Sequence, residues 1–223
     1  HRAEQLDNLY IFKNTEGTPE NIRKFHPNII VSSTGSAPLL PPIAGLKDRI
    51  DNEKHNIYSI LGMISHINDF PKDLEGKKVV VVGGGAVGLD VVEFFADRNA
   101  DISIVEMMDQ IGRDLDPVSK NDTKTMMKKH NVHQLTKTAL LEVKDSSFLV
   151  RGDGEPYELP FEYGFVCLGM RAQGQLYQNL TEEFSSEDVE IMNIGDSQRA
   201  RRIIDGTQEG RNILTILEQK GYL

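Results

Sequence analysis

A continuous valine run that stops on closely spaced glycines, a helical stretch behind it and a second β-branched run closed by an acid predict an α/β fold. A parallel sheet is expected at its centre. The valine run, Lys78–Val82, shows no polar alternation after its first residue, the pattern of a strand covered on both faces. Gly83, Gly84, Gly85 and Gly88 open a helix expected from about Gly85 to Arg98, and Asp101–Val105 supplies the returning strand. Strand, glycine turn, helix and parallel strand in that order form a β-α-β unit of the Rossmann kind.

The remaining elements follow from local signals. Leu9–Lys13 reads as an opening strand. Thr18-Pro19-Glu20 reads as a helix start, with a capping hydroxyl and a proline at the first helical position. Asn28–Ser33 is a β-branched run expected to be a buried strand. Pro38, Pro41, Pro42 and Gly45 then exclude helix and central strand, since proline lacks the N–H that a ladder needs. That stretch is expected to be an extended connection between domains. Downstream, Asp116–His130 has a helical pattern, and Val132–Asp145, Phe148–Gly152 and Tyr157–Leu159 make a β-meander. Phe161–Leu168 is a further strand stopped by Gly169, Val189–Ile194 closes on Gly195-Asp196, and a last helix runs from about Ile204 to Lys220. The pieces on either side of the middle unit are too short to be domains alone. An inner domain inserted into an outer one is the organisation expected.

Composition excludes several function classes. A net charge of −9 argues against a nucleic-acid partner, because neutralising phosphates takes clustered Lys and Arg. The one basic cluster, Arg199, Arg201 and Arg202, reads either as a solvated helix entrance or as a contact to a single anion. No apolar run approaches the roughly 20 residues needed to span a bilayer, so no membrane role is expected. The single cysteine, Cys167, excludes an internal disulfide, a Cys-x-x-Cys pair and a multi-cysteine metal or cluster site. A reducing, cytoplasmic setting is the default expectation. Cys167 lies inside an apolar strand and is expected to be a buried, inert thiol.

The chemistry is concentrated in the glycine turn. Gly83-x-Gly85-x-x-Gly88 is meaningful because it follows a strand and opens a helix. The first glycine permits the turn, the second lets a pyrophosphate approach the backbone, and the third lets helix and strand pack closely. The helix N-terminus, at Ala86 and Val87, then offers free amides and partial positive charge to phosphates. Glu106 ends the second strand where an acid receives the hydroxyls of an adenosine ribose. Met107-Met108-Asp109-Gln110 brings no Lys or Arg to neutralise a 2′-phosphate, so NAD(H) is expected rather than NADP(H). Gly169, at the carboxyl end of a strand, joins the candidate cofactor-binding set, as does Asp196.

Taken in order, five stretches are similar to the flavin–nicotinamide half of bacterial NADH:flavin oxidoreductases. The resemblance is to the 2-enoate reductase, 2,4-dienoyl-CoA reductase and trimethylamine dehydrogenase group. The stretches are Asn14-Thr15-Glu16 with Thr18-Pro19-Glu20, Thr34-Gly35-Ser36 with Pro38, Lys77 to Gly85, Ile194-Gly195-Asp196, and Arg201 with Ile203-Ile204-Asp205 and Glu209-Gly210.

The resemblance implies an FAD-binding domain interrupted by an NADH-binding Rossmann domain. Residues 1–45 would be a partial FAD-domain segment and crossover, 46–185 the NADH domain, and 186–223 the returning FAD-domain segment. Thr34 and Gly35 would lie at the crossover, and Gly195 and Asp196 would meet the FAD ribityl chain. The helix after Asp205 would point its N-terminus at the flavin ring. The activity implied is that of an NADH-dependent flavin oxidoreductase. Electrons would pass from NADH to FAD and on through a 4Fe-4S cluster and FMN to an enoate-type substrate. No side chain need act as acid or base, since the cofactors carry the chemistry. The FAD domain's first glycine motif, the FMN barrel and the cluster cysteines are missing from this chain. An incomplete fragment is therefore expected, whose partners are that absent half and small-molecule cofactors, with room for a homo-oligomer. Two other readings stand beside it: an NADH-sensing module without turnover, and another pyridine nucleotide–flavin reductase.

Overall fold

The computed structural model describes residues 5–222. The elements run α1 (Pro19–Arg23), β1 (Ile29–Ser32), β2 (Ser36–Pro38), α2 (Leu46–Arg49), β3 (Ile57–Tyr58) and α3 (Ile60–Ser65). The middle of the chain holds β4 (Lys78–Val82), α4 (Ala86–Ala96), β5 (Asp101–Val105), α5 (Pro117–Lys129), β6 (His133–Leu135) and β7 (Ala139–Val143). Next come β8 (Ser147–Arg151), β9 (Tyr157–Pro160), β10 (Tyr163–Val166), β11 (Met170–Ala172), α6 (Gln175–Glu183), β12 (Glu190–Asn193) and α7 (Ile203–Gln219). The fold is mixed α/β, as expected. Two compact units form: one is Pro38–Met170, the other unites the chain before Pro38 with the chain after Met170.

In the first of these units, five parallel strands order as β3-β10-β4-β5-β6. The valine run explains itself in the packing. Val79 and Val81 belong to one core with Val91, Val92 and Phe95 of α4, while Val80 and Val82 belong to a second core with Phe148 and Val150 of the meander and Phe161. A strand apolar on both faces needs both covers. The meander β7-β8-β9 is antiparallel, with a bulge between Leu140 and Glu142. α5 starts as its sequence requires. The Asp116 carboxylate accepts from the amides of Val118 and Ser119 at 3.0 and 3.1 Å, and Pro117 takes the first turn. The Ser119 hydroxyl and amide hold that carboxyl below its ordinary value.

In the second unit, β1 and β12 pair in parallel, Ile29 opposite Glu190 through Ser32 opposite Asn193. Ile30 packs there with Leu180 and Phe184. Thr18 caps α1 by accepting from the Asn21 amide at 3.2 Å. Arg23 at its end bonds Glu183 and Glu187 and lies 4.6 Å over the Phe184 ring.

Four expectations need correction. Leu9–Lys13 pairs with no strand among the described residues, and Tyr10 is 77% exposed. A strand exists only as part of a ladder, and this unit's parallel sheet is β1 with β12 alone. Val132–Asp145 is two strands: β6 extends the parallel sheet, and after a turn with Lys137 at φ 50°, β7 opens the meander. The helix α6 was not expected, although Leu176, Leu180 and Phe184 recur every four residues and bury one stripe in the Ile30 core. Finally, the compact unit runs over Pro38–Met170 against the expected 46–185, because α6 packs with β12 and β1 and takes residues 171–185 with it.

No helix among the described residues is long and apolar enough to cross a membrane.

Candidate functional site

The glycine turn distinguishes its glycines by what surrounds them. Gly83 adopts φ 108°, and a Cβ there would stand 2.2 Å from the carbonyl oxygen of Cys167, the residue after β10. A Cβ on Gly88 would stand 1.9 Å from the Gly83 carbonyl oxygen, so α4 lies directly on the turn. Gly85 is the opposite case. Beyond its own chain neighbours, no protein atom comes within 4 Å of where its Cβ would be. The turn is closed behind and open in front.

Gly85 caps α4 without a side chain, and the amides of Gly85, Ala86 and Val87 have no acceptor among the described residues. First-turn amides carry the positive end of the helix dipole, so together they present three free donors with a favourable potential for an anion. Glu106 stands beside them. Its Oε2 accepts from the Gly84 amide at 2.6 Å and its Oε1 from the Met108 amide at 2.7 Å. A carboxylate offers about four acceptor positions, so two remain for external hydroxyls.

These residues wall a cleft of about 590 Å³, a size usual for small-molecule sites. Gly83, Gly85, Ala86, Val87, Glu106 and Gly169 line it, while Gly84 and Gly88 are buried behind. Pro41, Ile43 and Leu140 supply an apolar side that sequence reasoning missed. They come from the connection and the meander, and nothing local marks them as neighbours of the turn. Cys167 also reaches the cleft wall, but it is buried, and burial, with a smaller contribution from Asp90, pushes its thiol up to about 12. An inert thiol was the expectation.

In the other unit, the second set of predicted residues also gathers. The Thr34 hydroxyl donates to the Gln173 carbonyl at 2.5 Å, and Gln173 donates to the Gly35 carbonyl at 3.0 Å. Gly35 and Gly195 both sit at positive φ, 75° and 66°. Asp196 accepts from the Ser36 hydroxyl and from the Arg201 amide, each at 3.1 Å. The Gly195 amide donates to Glu209 of α7 at 2.6 Å. Arg201 bonds the same carboxylate and, with the Gly195 amide, holds Glu209 below its ordinary range. Arg202 lies 3.6 Å from Asp205. Two of the three basic residues thus meet acids of the helix they precede, which favours the solvated-entrance reading. The amides of Ile203 and Ile204, at the first turn of α7, have no acceptor among the described residues. No cluster among the described residues could hold a metal ion.

Comparison with known proteins adds three findings. The family described as pyridine nucleotide-disulphide oxidoreductase matches residues 8–192. The metal reductase of Desulforamulus reducens is 26% identical over 89% of this chain and 32% of its own length, and the NADH oxidase of Thermoanaerobacter brockii is 26% identical over 86% and 28%. The chain therefore spans about a third or less of these curated relatives. Among solved structures, the complex of 2-naphthoyl-CoA reductase with 2-naphthoyl-CoA shares the fold at a TM-score of 0.72 and 22% identity, over 88% of this chain and 28% of that one.

Proposed function

The chain belongs to the pyridine nucleotide-disulphide oxidoreductase family, and from that premise we propose that residues 38–170 bind NADH and orient it for hydride transfer to a flavin. The observation that carries the reading is the row of unbonded amides at Gly85, Ala86 and Val87 beside the Glu106 carboxylate, all on one cleft. The amides would hold the diphosphate, and Glu106 would accept from the adenosine ribose hydroxyls. The apolar side formed by Pro41, Ile43 and Leu140 would exclude water from part of the nucleotide. NADH supplies the hydride when bound. The chain supplies position, which is where a cofactor enzyme's protein part does its share.

In this reading the acceptor is FAD, held in part by this chain. Asp196 has acceptor capacity left for ribityl hydroxyls, and the open first turn of α7 suits the electron-rich edge of a flavin ring. A 4Fe-4S cluster takes four thiolates and the chain has one cysteine, so these 223 residues alone do not hold such a cluster. In this reading the cluster, FMN and the enoate-type substrate would be bound elsewhere along the electron path.

The test is a titration of the chain with NADH and NADPH, followed by cofactor fluorescence and calorimetry. NADH is expected to bind clearly more tightly, because the Glu106 carboxylate repels a 2′-phosphate. Glu106→Gln should weaken NADH by about tenfold and narrow the gap to NADPH. Equal affinities in the unaltered chain would remove the ribose role of Glu106, and no binding of either would remove the reading.

A further inference from the structure

The glycine turn is clamped from a direction the motif does not include. After Glu106 the chain runs through bends and turns to Leu115, and there the Gly112 amide donates to the Gly84 carbonyl at 2.7 Å. The Gly84 amide is held at the same time by Glu106, at 2.6 Å. Ile111 Cγ1 lies 3.1 Å from where a Cβ on Gly84 would stand. Gly84 is therefore gripped at both its polar groups and along its side.

The consequence falls on the next residue. A peptide group is planar, and the Gly84–Gly85 peptide is trans, so the Gly84 C=O and the Gly85 N–H share a plane and point in opposite directions. Anchoring the carbonyl on Gly112 turns the Gly85 N–H the other way. There Gly85 has neither an acceptor among the described residues nor, beyond its chain neighbours, a protein atom within 4 Å of its Cβ position. We infer that Gly112 is a positioning residue for the diphosphate seat, setting the direction of the Gly85 N–H through the Gly84 carbonyl. The inference rests on the nucleotide reading above. Gly112 suits its place: its φ is 65°, and a Cβ would crowd Leu115 Cδ1 at 3.1 Å. Ile111 and Leu115 fasten the turn to the core under α4.

The direct test replaces Gly112 with glycolic acid, Gly112→glycolate, whose ester keeps the backbone shape and deletes only the N–H. The thermal midpoint should fall by no more than about 2–4 °C, the expected loss for one hydrogen bond in a unit of this size. NADH and ADP-ribose should each bind about 3- to 10-fold more weakly, whereas adenosine, which lacks the diphosphate, should bind as before. Unchanged NADH affinity, or an equal loss for adenosine, would overturn the inference. A second measurement uses the unaltered chain: the Gly112 amide should be protected from hydrogen exchange, and the Gly85 amide resonance should move when ADP-ribose is added. A freely exchanging Gly112 amide would overturn the inference independently of the ester. If the unaltered chain binds neither NADH nor ADP-ribose, the nucleotide reading fails first and takes the inference with it.

Discussion

Gly85→Ser separates stability from binding at one position. Gly85 sits at φ −77° and ψ 179°, the extended conformation of a helix N-cap, so a serine enters without backbone strain. Its Cβ would meet nothing within 4 Å, so no neighbour must move. The hydroxyl can accept from the unbonded amides of the first turn, and serine restricts the unfolded chain more than glycine does. Together these contribute about 0.5–1 kcal/mol of stability, which raises the thermal midpoint by about 1–4 °C for a chain of this length. Binding should move the opposite way. The added side chain occupies the approach to the backbone and takes one donor from the diphosphate. A charge-assisted hydrogen bond contributes about 1.5–3 kcal/mol, so NADH should bind about 10- to 100-fold more weakly. Circular dichroism melts read the first effect and calorimetric titration with NADH the second. Unchanged NADH affinity would mean that no phosphate passes Gly85. A melt lowered by several degrees would mean that the space in front of the turn is not open.

Gly88→Ala should do the reverse and damage the fold. Alanine favours helix by about 1 kcal/mol over glycine, yet its Cβ would fall 1.9 Å from the Gly83 carbonyl oxygen, a backbone atom that cannot swing aside. Overpacking of that severity costs about 3 kcal/mol or more, so the urea midpoint should drop with the slope unchanged. Cys167 should resist a disulfide-exchange thiol reagent in the native chain at pH 8 and react fully once urea is added. The unfolded thiol releases its proton near its ordinary value of 9, before the buried one near 12. Stability should therefore be unaffected by this group below pH 9 and decline as pH rises beyond it, which chemical denaturation at stepped pH can follow.

What the sequence made legible was local. The bounds expected for Lys78–Val82 and Asp101–Val105 are those of β4 and β5, because a β-branched run and its glycine stop are written in consecutive residues. The start of α5 was equally readable from Asp116-Pro117. The failures share a cause. Leu9–Lys13 has a strand's composition, but pairing is decided by a neighbouring strand rather than by the segment itself. The division of Val132–Asp145 turns on which sheet each half joins, and that too is long-range. α6 was readable in its four-residue apolar spacing, though it lacks a capping hydroxyl to announce its start. At the site, the glycines and Glu106 were visible from spacing alone. Ile43, Leu140 and Gly112 were not, since each reaches the cleft or the turn only through folding.

β4 serves two cores at once, with Val79 and Val81 facing one and Val80 and Val82 the other. Neither half of the unit can loosen without disturbing its neighbour, so both should melt as a single block. The glycine bend grows from the end of that shared strand and is thereby rooted in the last part to fray, and the segment carrying Gly112 is tied to the same block through Ile111 and Leu115.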